Sequence, residues 1–219
     1  FRSKMIAYFI VSRRLDSAWE NYKLIGDASP INPLTEKLVQ KCNEQIEGYK
    51  VYQAMRYTPP FAQDVIKEIL KDGITNILLL PLYPQFSTTT TKSSVQDFID
   101  YTPYSCKLEY IEEFYQNKKF NECIINEIIS NVEDASEYNL IFSAHGLPQK
   151  IVDKGDPYEE QMNEHVEILK NMLQIKGVNF KSINLAYQSK VGPMKWLEPS
   201  LEDMLKNFKE QKVIIYPIA

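Results

Sequence analysis

Glycine is scarce in this chain, at seven of 219 residues, and no two glycines stand one residue apart. The GxGxxG dinucleotide fingerprint can therefore not be written in this span; no two glycines stand five apart for a Walker A phosphate loop, and no GxSxG elbow is present for a serine hydrolase. Arginine is scarcer still: Arg2, Arg13, Arg14 and Arg56 are the complete set. Phosphoryl transfer wants several guanidiniums around a phosphate, so that reading is weak. The three cysteines, Cys42, Cys106 and Cys123, are widely spaced and form no CxxC pair. Such usage fits a reducing compartment and offers no zinc or iron–sulfur ligand set. A net charge of −4 and a pI near 5.4 argue against a nucleic-acid partner, which needs concentrated positive charge. The longest apolar run, Ile77 to Tyr83, is too short to span a bilayer. No signal-peptide pattern opens the chain, and a cytoplasmic protein is expected.

What the chain does have is a regular alternation of strand and helix patterns. Asn32-Pro33 predicts a helix start, with the helix running to about Glu47, and Tyr49 to Arg56 reads as a strand. Thr58-Pro59 predicts the next helix, with Phe61, Val65 and Ile69 on its apolar face beside Ile66 and Leu70. Ile74 to Pro81 is a nearly continuous apolar strand, as expected for one covered on both faces. The run Thr88 to Thr91 offers N-caps for a helix to about Tyr101, followed by a strand over 106–114 and a helix over 117–132. Gly155-Asp156-Pro157-Tyr158-Glu159 predicts a strong helix start, with Asp156 as cap and Met162, Val166, Leu169 and Leu173 on the buried face. Ser182 to Tyr187 is a strand, Ser200 to Phe208 a helix, and Lys212 to Pro217 a last strand.

Alternation of this kind implies an α/β fold with parallel sheets and right-handed crossovers. The two halves share a plan: an apolar strand that ends in a polar or aromatic loop. We therefore expect two similar Rossmann-like units, 1–115 and 116–219, with a cleft between them and a border that no linker marks. Ser3 to Arg14 already reads as helix, and the chain closes on a strand pattern, so a longer parent protein, cut at both ends, is expected.

The chemistry concentrates at Leu140-Ile141-Phe142-Ser143-Ala144-His145-Gly146-Leu147-Pro148. An apolar run in the manner of a buried parallel strand stops at a histidine and a glycine, and ligands of open α/β sheets bind at the carboxyl ends of strands. His145 can be a structural hydrogen-bonder or a functional group, and its strand-end position favours function. The other histidine, His165, falls inside a predicted helix and reads as a structural hydrogen-bonder whose loss should be close to silent. Tyr57, Tyr83, Phe86, Ser87, Tyr187 and Trp196 lie at other strand ends. Singly, each reads as the rim of a core. Together they suit a large, flat, apolar ligand, with one histidine and Arg56 for the polar work.

Ser143-Ala144-His145-Gly146-Leu147-Pro148 resembles the ferrochelatase signature, with Gly146 where many members have serine. Four more stretches are similar to that family in the expected order: Met55-Arg56-Tyr57, Leu79 to Ser87, Gly155 to Tyr158, and Tyr187 to Pro193 with Trp196-Leu197. The likeness covers essentially the whole chain. It implies a chelatase-like fold and a lyase of haem biosynthesis that inserts Fe²⁺ into protoporphyrin IX. It also implies His145 as metal ligand or proton acceptor, with Arg56, Tyr57, Tyr83 and Ser87 as substrate contacts and Trp196 as a pocket wall. Ferrous iron is then a substrate. No tightly bound cofactor is expected, and no iron–sulfur cluster in this span. Porphyrin and iron are the expected partners, with peripheral contact to the inner membrane allowed through segments outside this span and the oligomeric state left open. The family's acidic motif would follow Ala219, so this span by itself is expected to be inactive. Two alternatives stand beside this reading: a non-catalytic tetrapyrrole-binding module, and a chelatase for another metal such as cobalt.

Overall fold

A computed structural model describes residues 15, 19, 20, 22–24 and 26–219. The helix expected over Ser3 to Arg14 lies outside the described residues. The chain divides into two compact units, residues 1–68 and 69–219. Both sheets belong to the second unit, and they fall on either side of residue 115, the border expected from the sequence.

In the first unit, α1 (Ile31–Gln45) begins one residue before the expected cap. Asn32 does not cap it. Its side-chain nitrogen donates instead to the Pro59 carbonyl at 3.0 Å, and its oxygen accepts from the Thr58 hydroxyl at 3.4 Å. The strand expected over 49–56 is absent. Strands persist by pairing, and the amide side chain of Asn43 occupies both backbone groups of Val51, accepting its N–H at 2.7 Å and donating to its carbonyl at 2.9 Å. Only an isolated bridge between Met55 and Phe61 remains of the pattern. The helix α2 (Ala62–Lys71), whose last three residues belong to the second unit, starts later than expected and buries Ala62, Val65, Ile66 and Ile69, whereas Phe61 and Leu70 stay exposed.

In the second unit, β1 (Asn76–Leu79) and β2 (Lys107–Tyr110) form a parallel pair connected through α3 (Thr91–Tyr101). A second, three-stranded sheet contains β3 (Tyr138–His145), β4 (Ser182–Gln188) and β5 (Lys212–Pro217), all parallel, in the order β4-β3-β5. The connecting helices are α4 (Lys118–Ser130) before β3, then the single turn α5 (Gln149–Val152), α6 (Tyr158–Ile175) and α7 (Leu201–Lys206). Asn117 caps α4 by accepting the Phe120 N–H, and Ser200 caps α7 by accepting the Asp203 N–H. The architecture is α/β with parallel sheets throughout.

One core organises this unit. Leu140, Phe142 and Ala144 project from one face of β3 onto Ile124, Ile125 and Ile128 of α4 and onto Met162, Val166, Leu169 and Leu173 of α6. The face of α6 read from its spacing is the buried one. Ile141 and Ser143 on the opposite face of β3 are buried as well, so the strand that carries the histidine is held from both sides. No helix among the described residues is long and apolar enough to cross a membrane.

Candidate functional site

The order β4-β3-β5 places β3 between two strands that follow it in the chain. The connection after β3 runs to one side and the connection after β4 returns to the other. Such a reversal opens a crevice at the carboxyl end of the strand where it occurs, and ligands of open α/β sheets bind there. The residue at that end is His145. Asn139 through Ala144 are buried and His145 is exposed, so the strand delivers one imidazole from a fixed backbone to the surface. Among the described residues, no other side chain engages that imidazole.

The turn after His145 is tight. The Gly146 N–H donates to the Gln188 carbonyl at 2.8 Å. A Cβ at Gly146 would lie 2.9 Å from that same oxygen and 3.5 Å from a ring carbon of Trp196. Glycine therefore permits the close approach of the 188 backbone, and a serine here would require that backbone to move. Beyond the turn, residues 147–149 pair antiparallel with 195–197. The Leu197 N–H donates to Leu147 and the Gln149 N–H to Lys195, each at 2.9 Å. This pairing holds Trp196 beside Gly146, half-buried, with its indole N–H donated to the Val191 carbonyl at 3.0 Å. Trp196 thus stands as a wall next to the histidine turn.

The loop after β1 is held from below by α6. Tyr83 in this loop is half-buried. Ser87 lies deeper in the same loop. It is 1% exposed, and its hydroxyl is committed to Asp156 at 3.0 Å and Thr89 at 2.8 Å. Arg56 and Tyr57 belong to the first unit, where the guanidinium lies 5.4 Å from the centre of the Tyr57 ring. Tyr57 is largely exposed.

Four residues of structural consequence were not singled out as site residues from the sequence. Asp156 was read as a helix cap, but α6 begins at Tyr158 with Pro157 at the cap position. One oxygen of the Asp156 side chain accepts the Tyr158 N–H at 3.1 Å. The other gathers the Ser87 hydroxyl, the Thr88 N–H and the Thr88 hydroxyl. The Tyr158 hydroxyl donates to the His145 carbonyl at 2.9 Å, and burial pushes its pKa up, so it stays a donor. Gln161 accepts the Phe86 N–H at 2.7 Å. His165 is fully buried between Gln85 at 2.7 Å and Asn121 at 2.8 Å, and desolvation lowers its pKa to about 4. The available signal was a polar stripe: Gln161 and His165 sit one turn apart on α6, each next in sequence to a core residue, Met162 and Val166. Polar groups beside a buried face need partners.

The family model described as Ferrochelatase matches residues 1–219, the full span. The chain belongs to the ferrochelatase family. It is 44% identical over 221 residues to the ferrochelatase of a Nitratiruptor species, an alignment covering 99% of this chain and 71% of that protein. It is 49% identical over 222 residues to the ferrochelatase of Sulfurimonas denitrificans, covering 99% and 70% respectively. With a ferrochelatase of Helicobacter pylori it shares 40% identity over 225 residues, covering 100% of this chain and 67% of that one. The family membership extends over both units, and the strand-end histidine lies within it.

Proposed function

We propose that this protein inserts ferrous iron into a porphyrin to make haem, and that His145 carries the step. The observation that supports the reading most directly is the exposed imidazole at the carboxyl end of the central strand, engaged by no other described side chain, in a chain of the ferrochelatase family. A flat porphyrin holds its nitrogen lone pairs and two N–H protons in the ring plane, where a metal ion cannot reach them. A protein that grips the ring and bends it spends binding energy on strain and exposes the lone pairs. The protons then need an acceptor, and the incoming Fe²⁺ needs a donor while it sheds water. A neutral imidazole serves either task.

The remaining roles follow from chemistry and placement. Trp196, held against Gly146, offers an apolar wall to a ring at the histidine turn. Tyr57 and Tyr83 supply further aromatic surface. Ser87 supports its loop through Asp156, and direct contact with the ring is left to its neighbours. Arg56 is the cation for a porphyrin carboxylate. No tightly bound cofactor is required by this reaction, because both iron and porphyrin are substrates. A cytoplasmic location accords with three unpaired cysteines, Cys42, Cys106 and Cys123.

The test of the overall reading is direct. The protein, given porphyrin and Fe²⁺ or Zn²⁺, should convert the visible bands of the free base into those of the metalloporphyrin catalytically. A protein that binds porphyrin and never turns over would instead be a carrier. Arg56→Leu should weaken porphyrin binding by roughly 1.5–3 kcal/mol, the worth of a hydrogen bond to a charged group. Fluorescence titration of the porphyrin measures this. Unchanged affinity with a lowered melting temperature would assign Arg56 to the fold instead.

A further inference from the structure

Helix α6 meets the loop after β1 one residue at a time. His165 takes the Gln85 side chain, Gln161 takes the Phe86 N–H, and Asp156 takes Ser87 and Thr88. The same helix start holds the histidine strand, through the Tyr158 hydroxyl on the His145 carbonyl. Asp156 is 4% exposed and accepts from four donors: the Ser87 hydroxyl at 3.0 Å, the Thr88 N–H at 2.7 Å, the Thr88 hydroxyl at 2.6 Å and the Tyr158 N–H at 3.1 Å. A buried carboxylate this fully satisfied by one loop and one helix start fixes the distance between them, because moving either strands the charge. Two residues two positions apart therefore tie two separate strand ends to one rigid helix.

We propose that Tyr158 and Asp156 are positioning residues for metallation: Tyr158 aims His145 through its main chain, and Asp156 sets the loop that carries Tyr83. This rests on His145 serving the chelation step. Rate depends steeply on such placement, since a displacement of about 1 Å can cost about a hundredfold. The two residues act on different quantities. Tyr158 governs the reacting group, and Asp156 governs the surface that receives the ring.

The experiment is a set of variants in two backgrounds, parental and His145→Ala, assayed for metallation and for porphyrin affinity. Tyr158→Phe should lower kcat about tenfold with porphyrin KM within about twofold. In the His145→Ala background the same change should leave the residual rate unaltered, because the group it aims is gone. Asp156→Asn should raise porphyrin KM and Kd about tenfold, in both backgrounds alike. Should that variant fold poorly, Thr88→Val removes one of the four donors from an exposed position and should shift KM in the same direction. A merely structural role would lower the melting temperature and scale the active fraction equally in both backgrounds, leaving KM alone. Parental kcat in Tyr158→Phe, or an equal loss with and without His145, overturns the proposal. Parental turnover in His145→Ala alone would overturn the functional reading beneath it, a separate and visible result.

Discussion

Metallation by His145→Ala is expected to fall by about two to four orders of magnitude, the range over which a positioned acid–base group contributes. The side chain is exposed at a strand end and no other described side chain engages it, so its loss removes chemistry without disturbing packing. The melting temperature should stay within a degree or two, as for surface changes generally. Under the proposed reading porphyrin affinity should hold within about twofold, because the ring contacts proposed above belong to other residues. The measurement is the initial rate of metalloporphyrin formation from visible absorption, alongside a porphyrin titration. A variant retaining near-parental turnover would remove His145 from the reaction.

The second large effect concerns the other histidine, and here the expectation from sequence is corrected. A near-silent His165→Ala suited a structural hydrogen-bonder on a helix beyond the histidine loop. The side chain is in fact fully buried, and its removal leaves the Gln85 amide and the Asn121 oxygen without their partner. Cavity and unsatisfied groups together should cost about 3–5 kcal/mol. Denaturant unfolding at neutral pH measures it, and a loss below about 1 kcal/mol would contradict the network.

The same residue should impose a pH dependence. Its folded pKa is about 4 against 6.5 in the unfolded chain, so between those values the unfolded state binds a proton that the native state refuses. Its contribution is fully present above about pH 6.5 and is lost as pH falls toward 4. The slope reaches about 1.4 kcal/mol per pH unit and the total about 3 kcal/mol. The geometry agrees with the sign, because Gln85 presents an amide N–H to Nδ1 and a proton there would oppose it. His165→Gln should flatten stability across this window.

The fold was legible where period and burial coincide. The α6 face, the boundaries of β5 and the apolar run of β3 all follow from spacing alone, because a strand or helix buried on a continuous face leaves that mark in the residues. The histidine turn was legible for a related reason: an apolar run that stops at His-Gly announces a strand end. What failed were features decided by a distant partner. The pattern over 49–56 carries strand propensity, yet Asn43 takes the backbone groups a neighbouring strand would have used. Asp156 looks like a cap in any local window, and its commitment to Ser87 and Thr88, 68 to 69 positions away, has no local signature. The inward turn of the Ser87 hydroxyl to that same carboxylate is likewise set by a residue 69 positions away. Local periodicity reports burial, and it carries no information about which polar group meets which.

The central claim is that one imidazole at the end of β3 performs the chelation step, and chemical rescue tests it most directly. His145→Gly clears the space without changing the strand's partners, and free imidazole can then enter from solution. In single-turnover metallation of protein-bound porphyrin, the account predicts a rate far below the parent's that rises saturably with added imidazole, while the parental protein is indifferent to it. A His145→Gly protein that metallates at the parental rate, or one whose depressed rate is unmoved by imidazole, would contradict the account.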